Sequence, residues 1–402
     1  MGLIVQKFGG SSLADKESIQ RVAWIIAEAY SEGNNVVAVL SAQADTTDTL
    51  IEKAIELNPN PSKREMDVLL STGEQASIAL MAMALEKLGL PAVSLTGWQI
   101  GMNTDSDYGS ARIKAVSAER LKAELDRRRI VLVAGFQGVN KFDDITTIGR
   151  GGSDTTAVAV AVALNADICR IYTDVEGIFT CDPNKVPGAR KLDEITYDEM
   201  IELATLGAQV LHNRSVEMAK RYGVKIEVLS SLARKPGTIV KGVTKVEHTK
   251  ISGVAKDSNI ARIALVGLRD EPGVAFKLFR VLANERINID IILQSIGRDY
   301  TNDISFTVAR EDMDKAVDIL EENKEVIGYS DIKKTDKIAK VSVVGAGMMS
   351  SPGVAAMMFE ALYDSKINIG MISTSEIKIS VLVDENDGDR AVAAIHAKFF
   401  GA

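Results

Sequence analysis

Gly149-Arg150-Gly151-Gly152-Ser153-Asp154-Thr155-Thr156 crowds a guanidinium, a carboxylate and three hydroxyls among glycines. Glycine lets backbone amides approach a ligand closely and adopt dihedrals closed to other residues. Ser153, Asp154 and Thr155 are all favoured N-caps, so a helix is expected to begin here. The free amides of a helix start attract anions, phosphate above all, and an arginine fork suits a carboxylate or a phosphate. The stretch reads as an anion-gripping junction; a plain glycine turn before a core helix is the alternative.

A second junction of this kind opens the chain. Leu3 to Phe8 reads as a strand, Gly9-Gly10-Ser11-Ser12 as a turn, and Ile19, Val22, Ala23 and Ile26 recur on one helical face. Asp15 follows Ser12 at capping-box spacing. Lys7 ends the strand, within reach of a phosphate held over the turn, although a surface lysine beside a plain turn fits equally well. The glycine spacing is neither that of a Walker loop nor that of a dinucleotide fingerprint. Glu74 is a third candidate. It lies on the apolar stripe Leu70, Ile78, Met81, Leu85, Leu88 of a helix expected over about Glu65 to Leu88. A buried carboxylate must meet a cation or titrate to neutral. Either an internal Lys or Arg pairs with it, or the cation arrives with a substrate as an ammonium group.

The elements that would position these residues alternate. Val36–Leu40, Ala92–Leu95, Ile130–Ala134 and Ile168–Tyr172 read as strands. Asp45 to Asp48 is a polar loop or cap before Leu50–Leu57, Ala118 to Arg128 is a charged helix, and Ala157 to Leu164 is a buried helix because caps precede it. Such alternation indicates a mainly parallel sheet covered on both faces. Ligands of these sheets sit beyond the carboxyl ends of the strands. Lys7, Ser41, Phe136, the Arg150 loop and Asp174 are therefore expected to converge.

Composition excludes several classes. At 402 residues the chain is long for one core, so two or three domains are expected. A net charge of -8 without a basic stripe argues against nucleic acid. Cys169 and Cys181 lack metal-ligand spacing, and His212, His248 and His396 are scattered, so no zinc site is expected. No secretory signal opens the chain and no uninterrupted apolar run has the length of a membrane span, so a reducing, cytoplasmic setting with no membrane partner is the expectation.

Lys7-Phe8-Gly9-Gly10-Ser11-Ser12, Ser71-Thr72-Gly73-Glu74, Ala134-Gly135-Phe136-Gln137-Gly138, the Arg150 to Thr156 loop and Tyr172-Thr173-Asp174-Val175-Glu176-Gly177-Ile178-Phe179-Thr180-Cys181-Asp182-Pro183, in this order, resemble aspartate kinase. The resemblance implies an α/β catalytic domain over residues 1–242 with the amino-acid-kinase three-layer αβα sandwich. It also implies phosphorylation of the β-carboxylate of L-aspartate by ATP with Mg²⁺, the first step toward lysine, threonine and methionine. Lys7 would stabilise the phosphoryl group in flight, and Asp154 would orient Lys7 or act near the metal, which the protein itself would not ligate strongly. Phe8, Gly9, Gly10 and Ser11 would meet the ATP phosphates. Thr173, Asp174, Phe179, Thr180, Asp182 and Lys185 would line the nucleotide pocket. Ser41 and Thr47 would lie near phosphates and substrate, Glu74 would hold the substrate ammonium, and Arg150, with Gly151, Gly152 and Ser153, would grip the α-carboxylate. The family often has Arg directly after Asp-Pro, whereas Asn184 stands here and Lys185 follows, which leaves that cationic contact open.

Residues 243–250 read as a polar, basic linker. Beyond it Glu271-Pro272-Gly273-Val274-Ala275 recurs as Ser351-Pro352-Gly353-Val354-Ala355, and Ile287-Asn288-Ile289-Asp290 as Ile367-Asn368-Ile369-Gly370. The proline is expected to set the first helical turn. The repeat resembles two ferredoxin-like (βαββαβ) ACT domains, which bind amino acids. The first would span 259–335, with a fourth strand at Tyr329–Lys334. The second lacks a strand, and Ile251–Ala255 is the candidate to complete it, giving 251–258 plus 336–402. Effector contacts implied are Asp270, Pro272, Gly273, Val274, Ala275, Asn288, Ile289, Asp290 and Gln294, for lysine, threonine or both, with a homodimer or higher oligomer built through these modules. Two other readings stay open: an acetylglutamate-type kinase, and a non-catalytic amino-acid sensor.

Overall fold

The computed structural model describes residues 2–206, 210–243, 251–296 and 301–401. Most of the expected linker, 244–250, lies outside them. Two compact units emerge. The first holds Met1–Phe179, Lys191–Thr205 and Gln209–Val246; the second holds Thr180–Arg190, Leu206–Ala208 and Glu247–Ala402.

In chain order the first unit contains β1 (Leu3–Phe8), α1 (Lys16–Ser31), β2 (Asn35–Leu40), α2 (Thr46–Leu57), α3 (Lys63–Lys87), β3 (Ala92–Leu95), β4 (Asn103–Thr104), β5 (Ile113–Ala115), α4 (Glu119–Asp126), β6 (Ile130–Ala134), β7 (Gln137–Val139), β8 (Ile145–Thr147), α5 (Gly152–Leu164), β9 (Ile168–Thr173), β10 (Glu194–Thr196), α6 (Tyr197–Thr205), α7 (Asn213–Tyr222), β11 (Ile226–Ser230) and β12 (Thr238–Lys241). Eight strands form one sheet in the order β10-β12-β11-β9-β1-β2-β6-β3. All its pairings are parallel except β11 with β12. Alternate side chains explain the layers. Phe8, Val36, Ala38, Leu40, Ile130, Leu132 and Ala134 face a core built with α1 and α3. The remaining strand positions, such as Val5, Val37 and Val133, are equally buried, and α5 packs on β1, β2 and β9. Both faces are dry, which is why these strands read as unbroken apolar runs.

Two local expectations, both of helix caps, differ from the structure. Helix α1 is capped by Asp15, which accepts from the Ser18 amide at 2.8 Å; Ser12 instead shares a 2.7 Å hydroxyl bond with Ser231. Helix α5 begins at Gly152 and its cap is Gly151, in the left-handed region, so Ser153, Asp154 and Thr155 lie inside its first turn. Helix α3 is long and apolar enough to cross a membrane by length and composition, but Ile78, Met81 and Leu85 bury one face of it in the sheet's core.

The second unit contains β13 (Gly253–Asp257), β14 (Ala261–Arg269), α8 (Val274–Asn284), β15 (Ile292–Ile296), β16 (Thr301–Val308), α9 (Met313–Glu322), α10 (Lys324–Ile327), β17 (Asp331–Thr335), β18 (Ile338–Val344), α11 (Val354–Asp364), β19 (Met371–Thr374), β20 (Lys378–Asp384) and α12 (Gly388–Phe400). Its two antiparallel sheets run β15-β16-β14-β17 and β13-β18-β20-β19. Strand for strand these are the same module. The outer strand β17 follows its helices in sequence, whereas its counterpart β13 precedes both modules and pairs with β18 from Gly253↔Val344 to Asp257↔Lys340. In each copy the glycine, not the proline, is the helix cap: Gly273 has φ 97° and Gly353 φ 94°, and Pro272 and Pro352 stand one residue earlier.

Val254 is buried in the core of the β18–β20 module. Val254→Asp should destabilise that module by about 3 kcal/mol or more, the cost of an unpaired carboxylate in an apolar core. Amide exchange is expected to accelerate in β18 and β20 while β14 and β16 stay protected; protection lost equally in both sheets would contradict the assignment of β13.

Candidate active site

Lys7 leaves the carboxyl end of the central strand β1, flanked by β2 and β9. Its ammonium lies 2.7 Å from Asp154 Oδ1 in the first turn of α5, with only 14% and 10% of the two side chains exposed. At such depth an ion pair is weakly screened. The Gly9-Gly10 turn lies against the end of β2: the Ala44 amide donates to the Gly10 carbonyl at 3.1 Å, and a β-carbon on Gly10 would fall 2.8 Å from the Ala42 carbonyl oxygen. Phe8 itself is fully buried, its ring stacked on Tyr172 at 4.6 Å, so the ring does not face the cleft.

The Arg150 loop is held from several sides. Phe136 adopts φ 67°; its amide donates to Thr156 Oγ1 at 3.2 Å, and its carbonyl accepts from the Ile148 amide at 2.8 Å. A β-carbon on Gly135 would lie 2.6 Å from Ser153 Oγ, so only glycine lets α5 start this close to β6. Arg150 is exposed.

Helix α3 supplies two buried carboxylates with opposite fates. Asp67 is saturated: it accepts from the Gly109 amide at 2.9 Å, the Thr147 amide at 2.9 Å and Thr147 Oγ1 at 2.6 Å. It ties the Tyr108-Gly109-Ser110 turn to β8. Glu74 Oε1 accepts from the Ala42 amide at 3.1 Å, but Oε2 is buried without a hydrogen-bond partner among the described residues. Burial pushes its carboxyl up to about 7, against the smaller opposing effect of the Ala42 amide. No internal lysine or arginine forms an ion pair with it among the described residues.

These groups share one open cleft of ≈ 1010 Å³, lined by Lys7, Gly9, Gly10, Ser41, Thr47, Glu74 and Arg150 to Asp154. Asp67, Tyr108, Ser110 and Thr147 line it too; polar residues dispersed in chain order gave no sequence signal for them. Among the neighbouring residues at the sheet's rim, Thr173 Oγ1 donates to Asp174 Oδ1 at 2.9 Å. Ser231 donates from its amide to the Thr173 carbonyl at 2.9 Å, and Lys235 pairs with Glu176 at 2.8 Å. Ser231 and Lys235 also border a hollow of ≈ 420 Å³ beside Arg21, Trp24 and Tyr172.

Comparisons with known proteins place the chain in a family. The model of the amino acid kinase family matches residues 2–230, and the ACT domain model matches 263–323 and 341–399. The protein named aspartokinase from Mycolicibacterium smegmatis is 53% identical over 405 residues, covering 99% of this chain and 96% of its own. The chain belongs to the aspartokinase family. It is an aspartate kinase enzyme by that membership, and the fold agrees. The solved structure of E. coli aspartokinase III in complex with aspartate and ADP, an R-state, superposes with a TM-score of 0.84 at 27% identity, covering 99% of this chain and 100% of that one. The T-state of the same protein, in complex with lysine and aspartate, gives 0.78 at 27% identity over 99% of each chain.

In this aspartokinase-family chain, Phe179 forms an isolated bridge with Lys191, and the segment between them joins the second unit. Thr180 is buried there: its Oγ1 lies 2.8 Å from His396 Nε2, and its carbonyl accepts from the Val254 amide at 2.7 Å. Asp182 Oδ1 accepts from the Asn184 amide at 2.9 Å, and Lys185 lies 3.2 Å from Asp389. In the first ACT module Asp270, Gly273, Val274, Ala275 and Gln294 line a pocket of ≈ 110 Å³. Pro272, Asn288, Ile289 and Asp290 are not among its lining residues; Asp290 instead pairs with Lys340 at 2.5 Å. The matching hollow of the second module, ≈ 420 Å³, is lined by Met348, Ser351, Gly353, Val354, Glu376 and neighbours.

Glu74 gives a pH-dependent stability. Its folded value is raised from 4.5 to about 7, so the folded state holds this proton more tightly than the unfolded chain. The stabilisation is complete below about 4.5 and is lost as pH rises through about 7. Urea unfolding of the ligand-free protein should show Glu74→Gln gaining stability relative to the parent between about pH 5 and pH 8, by roughly 3 kcal/mol from 1.36 kcal/mol per unit; a pH-independent difference contradicts the buried, unpaired state.

Proposed function

We propose that the protein phosphorylates the β-carboxylate of L-aspartate with MgATP, giving 4-phospho-L-aspartate and ADP. The observation that carries this reading is the shared cleft: Lys7 and Asp154, the Arg150 loop and an unpaired Glu74 border one space. Aspartate fits those groups one by one. Its ammonium answers Glu74, its α-carboxylate answers Arg150 with the Gly151, Gly152 and Ser153 backbone, and its β-carboxylate then points toward Lys7. A carboxylate nucleophile is already ionised at neutral pH, so no general base is needed. Charge neutralisation and positioning supply most of the rate in phosphoryl transfer. Lys7 screens the approach of two anions, and Asp154 holds its ammonium in place.

The Gly9-Gly10-Ser11 turn, with Ser41 and Thr47, would receive the phosphates, and Thr173, Asp174 and Phe179 the rest of the nucleotide. Magnesium fits the donor set. Asp48, Asp67 and Asp154 are the aspartates that line the cleft; Asp67 already accepts three hydrogen bonds, so Asp154 or Asp48 would hold the ion, since Mg²⁺ commonly takes one or two carboxylates plus substrate phosphates. Bound there, it would neutralise phosphate charge.

The ACT modules would make the enzyme feedback-regulated by lysine, threonine or both, early in the biosynthesis of those amino acids and methionine, and would join subunits into a dimer or larger assembly. Free, buried Cys169 and Cys181 suit a reducing cytoplasm. An acetylglutamate-type substrate is disfavoured, because an acetylated amine brings no cation to Glu74. A sensor without catalysis would not need the Lys7–Asp154 pair.

A coupled ADP-release assay with aspartate, glutamate and acetylglutamate tests the reading, and turnover restricted to aspartate is expected. Lys7→Ala should lower kcat by about a hundredfold to a thousandfold, the usual loss for one preorganised donor, while Arg150→Ala raises KM for aspartate; parent-like kinetics in either removes its role. Because Glu74 must be ionised to hold an ammonium, KM for aspartate should fall as pH rises from about 6 to about 8, and Glu74→Gln should abolish that trend.

A further inference from the structure

The residues that border the cleft are braced from behind by the start of α7. His212 is the N-cap residue of that helix, with extended backbone at φ -85° and ψ 132°. Its carbonyl accepts from the Ser215 amide at 3.0 Å and from Ser215 Oγ at 2.6 Å, which holds its backbone in place. The ring lies against Gly151: a β-carbon there would fall 2.3 Å from His212 Cβ and 2.3 Å from Cγ. With φ 67° as well, Gly151 has both a steric and a conformational reason to be glycine. His212 Nδ1 is buried with no hydrogen-bond partner among the described residues. Burial pushes the imidazole below its ordinary value, with Asp154 acting in the opposite sense.

Two residues further on, Arg214 reaches the same loop by its other end. One guanidinium nitrogen donates to the Ile148 carbonyl at 2.8 Å and another to the Ala111 carbonyl at 2.9 Å. Ile148 and Ala111 are both fully buried. The first immediately precedes Gly149-Arg150; the second follows the turn of Tyr108, Gly109 and Ser110, which lines the cleft and lies against Gly149, where a β-carbon would fall 3.1 Å from the Gly109 carbonyl oxygen. A planar fork with donors at fixed separation can bridge two carbonyls; a lysine ammonium lacks that geometry. Ser215, Val216 and Ala219 bury the base of the helix, so both contacts come from a firmly seated element.

We propose that His212 and Arg214 are positioning residues for the amino-acid end of the cleft: the imidazole ring presses on Gly151, the guanidinium ties Ile148 to Ala111, and together they set where Arg150 and the Gly151–Ser153 amides point. Neither is placed to touch the phosphoryl group; they act through the loop. The proposal rests on the reading that this loop grips the substrate α-carboxylate.

Steady-state kinetics on the full chain test it, with His212→Ala, His212→Phe, Arg214→Ala and Arg214→Lys. Misplacing a binding group by about 1 Å costs up to roughly a hundredfold. His212→Ala and both Arg214 variants should therefore raise KM for aspartate about tenfold or more, with KM for ATP within about twofold of the parent. His212→Phe keeps a flat ring over Gly151 and should recover most of the loss. Amide exchange at Gly151 and Gly152 should accelerate in the same variants that lose affinity. Should Arg214→Ala fail to fold, Arg214→Lys, which keeps the stem and the charge, decides. An unchanged KM for aspartate in folded His212→Ala and Arg214→Lys overturns the proposal, as does a parallel rise in both KM values. An Arg150→Ala control separates the layers: a raised KM there with unchanged values in the α7 variants sinks the brace alone, whereas an unchanged KM in Arg150→Ala sinks the reading of the loop and the brace with it.

Discussion

The ion pair between Lys7 and Asp154 is the constraint around which the cleft is arranged. Both charges are largely removed from water, and separating them there would leave each without compensation, a cost of several kcal/mol. The pair therefore locks the end of β1 to the first turn of α5. Everything else at the rim follows from keeping that turn in place. Gly135 must lack a side chain so that Ser153 can approach. Phe136 must hold a left-handed conformation so that its carbonyl can receive the Ile148 amide. These are local departures from comfortable backbone geometry, and they cluster where the chemistry is placed, as strained positions in folded proteins commonly do.

Two carboxylates of α3 show how the same helix both builds the site and leaves it unfinished. Asp67 is a fastener, since three donors from the far wall satisfy it. Glu74, two turns on, has one amide and an orphaned oxygen. A buried polar group half-satisfied is a conflict that a purely structural core would eliminate. It persists in a cleft that an exposed arginine, Arg150, also lines.

The second unit uses one βαββαβ module twice, and the chain enters it through the second copy's outer strand. Strand β13 lies on β18 before the first module has begun, so the two modules cannot be separated by cutting the chain once. The Thr180–Arg190 segment adds to this. Cys181 and Val186 are buried in the core that β13, β18 and α12 share, and Thr180 is pinned to His396, although Phe179 and Lys191 on either side belong to the first unit.

The sequence by itself determined the alternation of strands and helices, the glycine junctions after Phe8 and before α5, the misplaced charge of Glu74 and the internal repeat. Each of these is a local pattern of polarity, spacing or composition, and local patterns survive translation into structure. The orphan strand at Gly253–Asp257 was legible for a related reason: a module one strand short advertises its need. What tertiary structure alone decided are the relations between residues far apart in the chain. Asp67 meets Gly109 and Thr147, Arg214 meets Ile148 and Ala111, and Thr180 meets His396, none of which leaves a periodic trace. Helix caps also shifted, from Ser12 to Asp15 and from Ser153 to Gly151, because cap choice depends on where the preceding strand releases the chain. A side chain's type can be read in sequence, but its partner is chosen by the packing of the whole sheet.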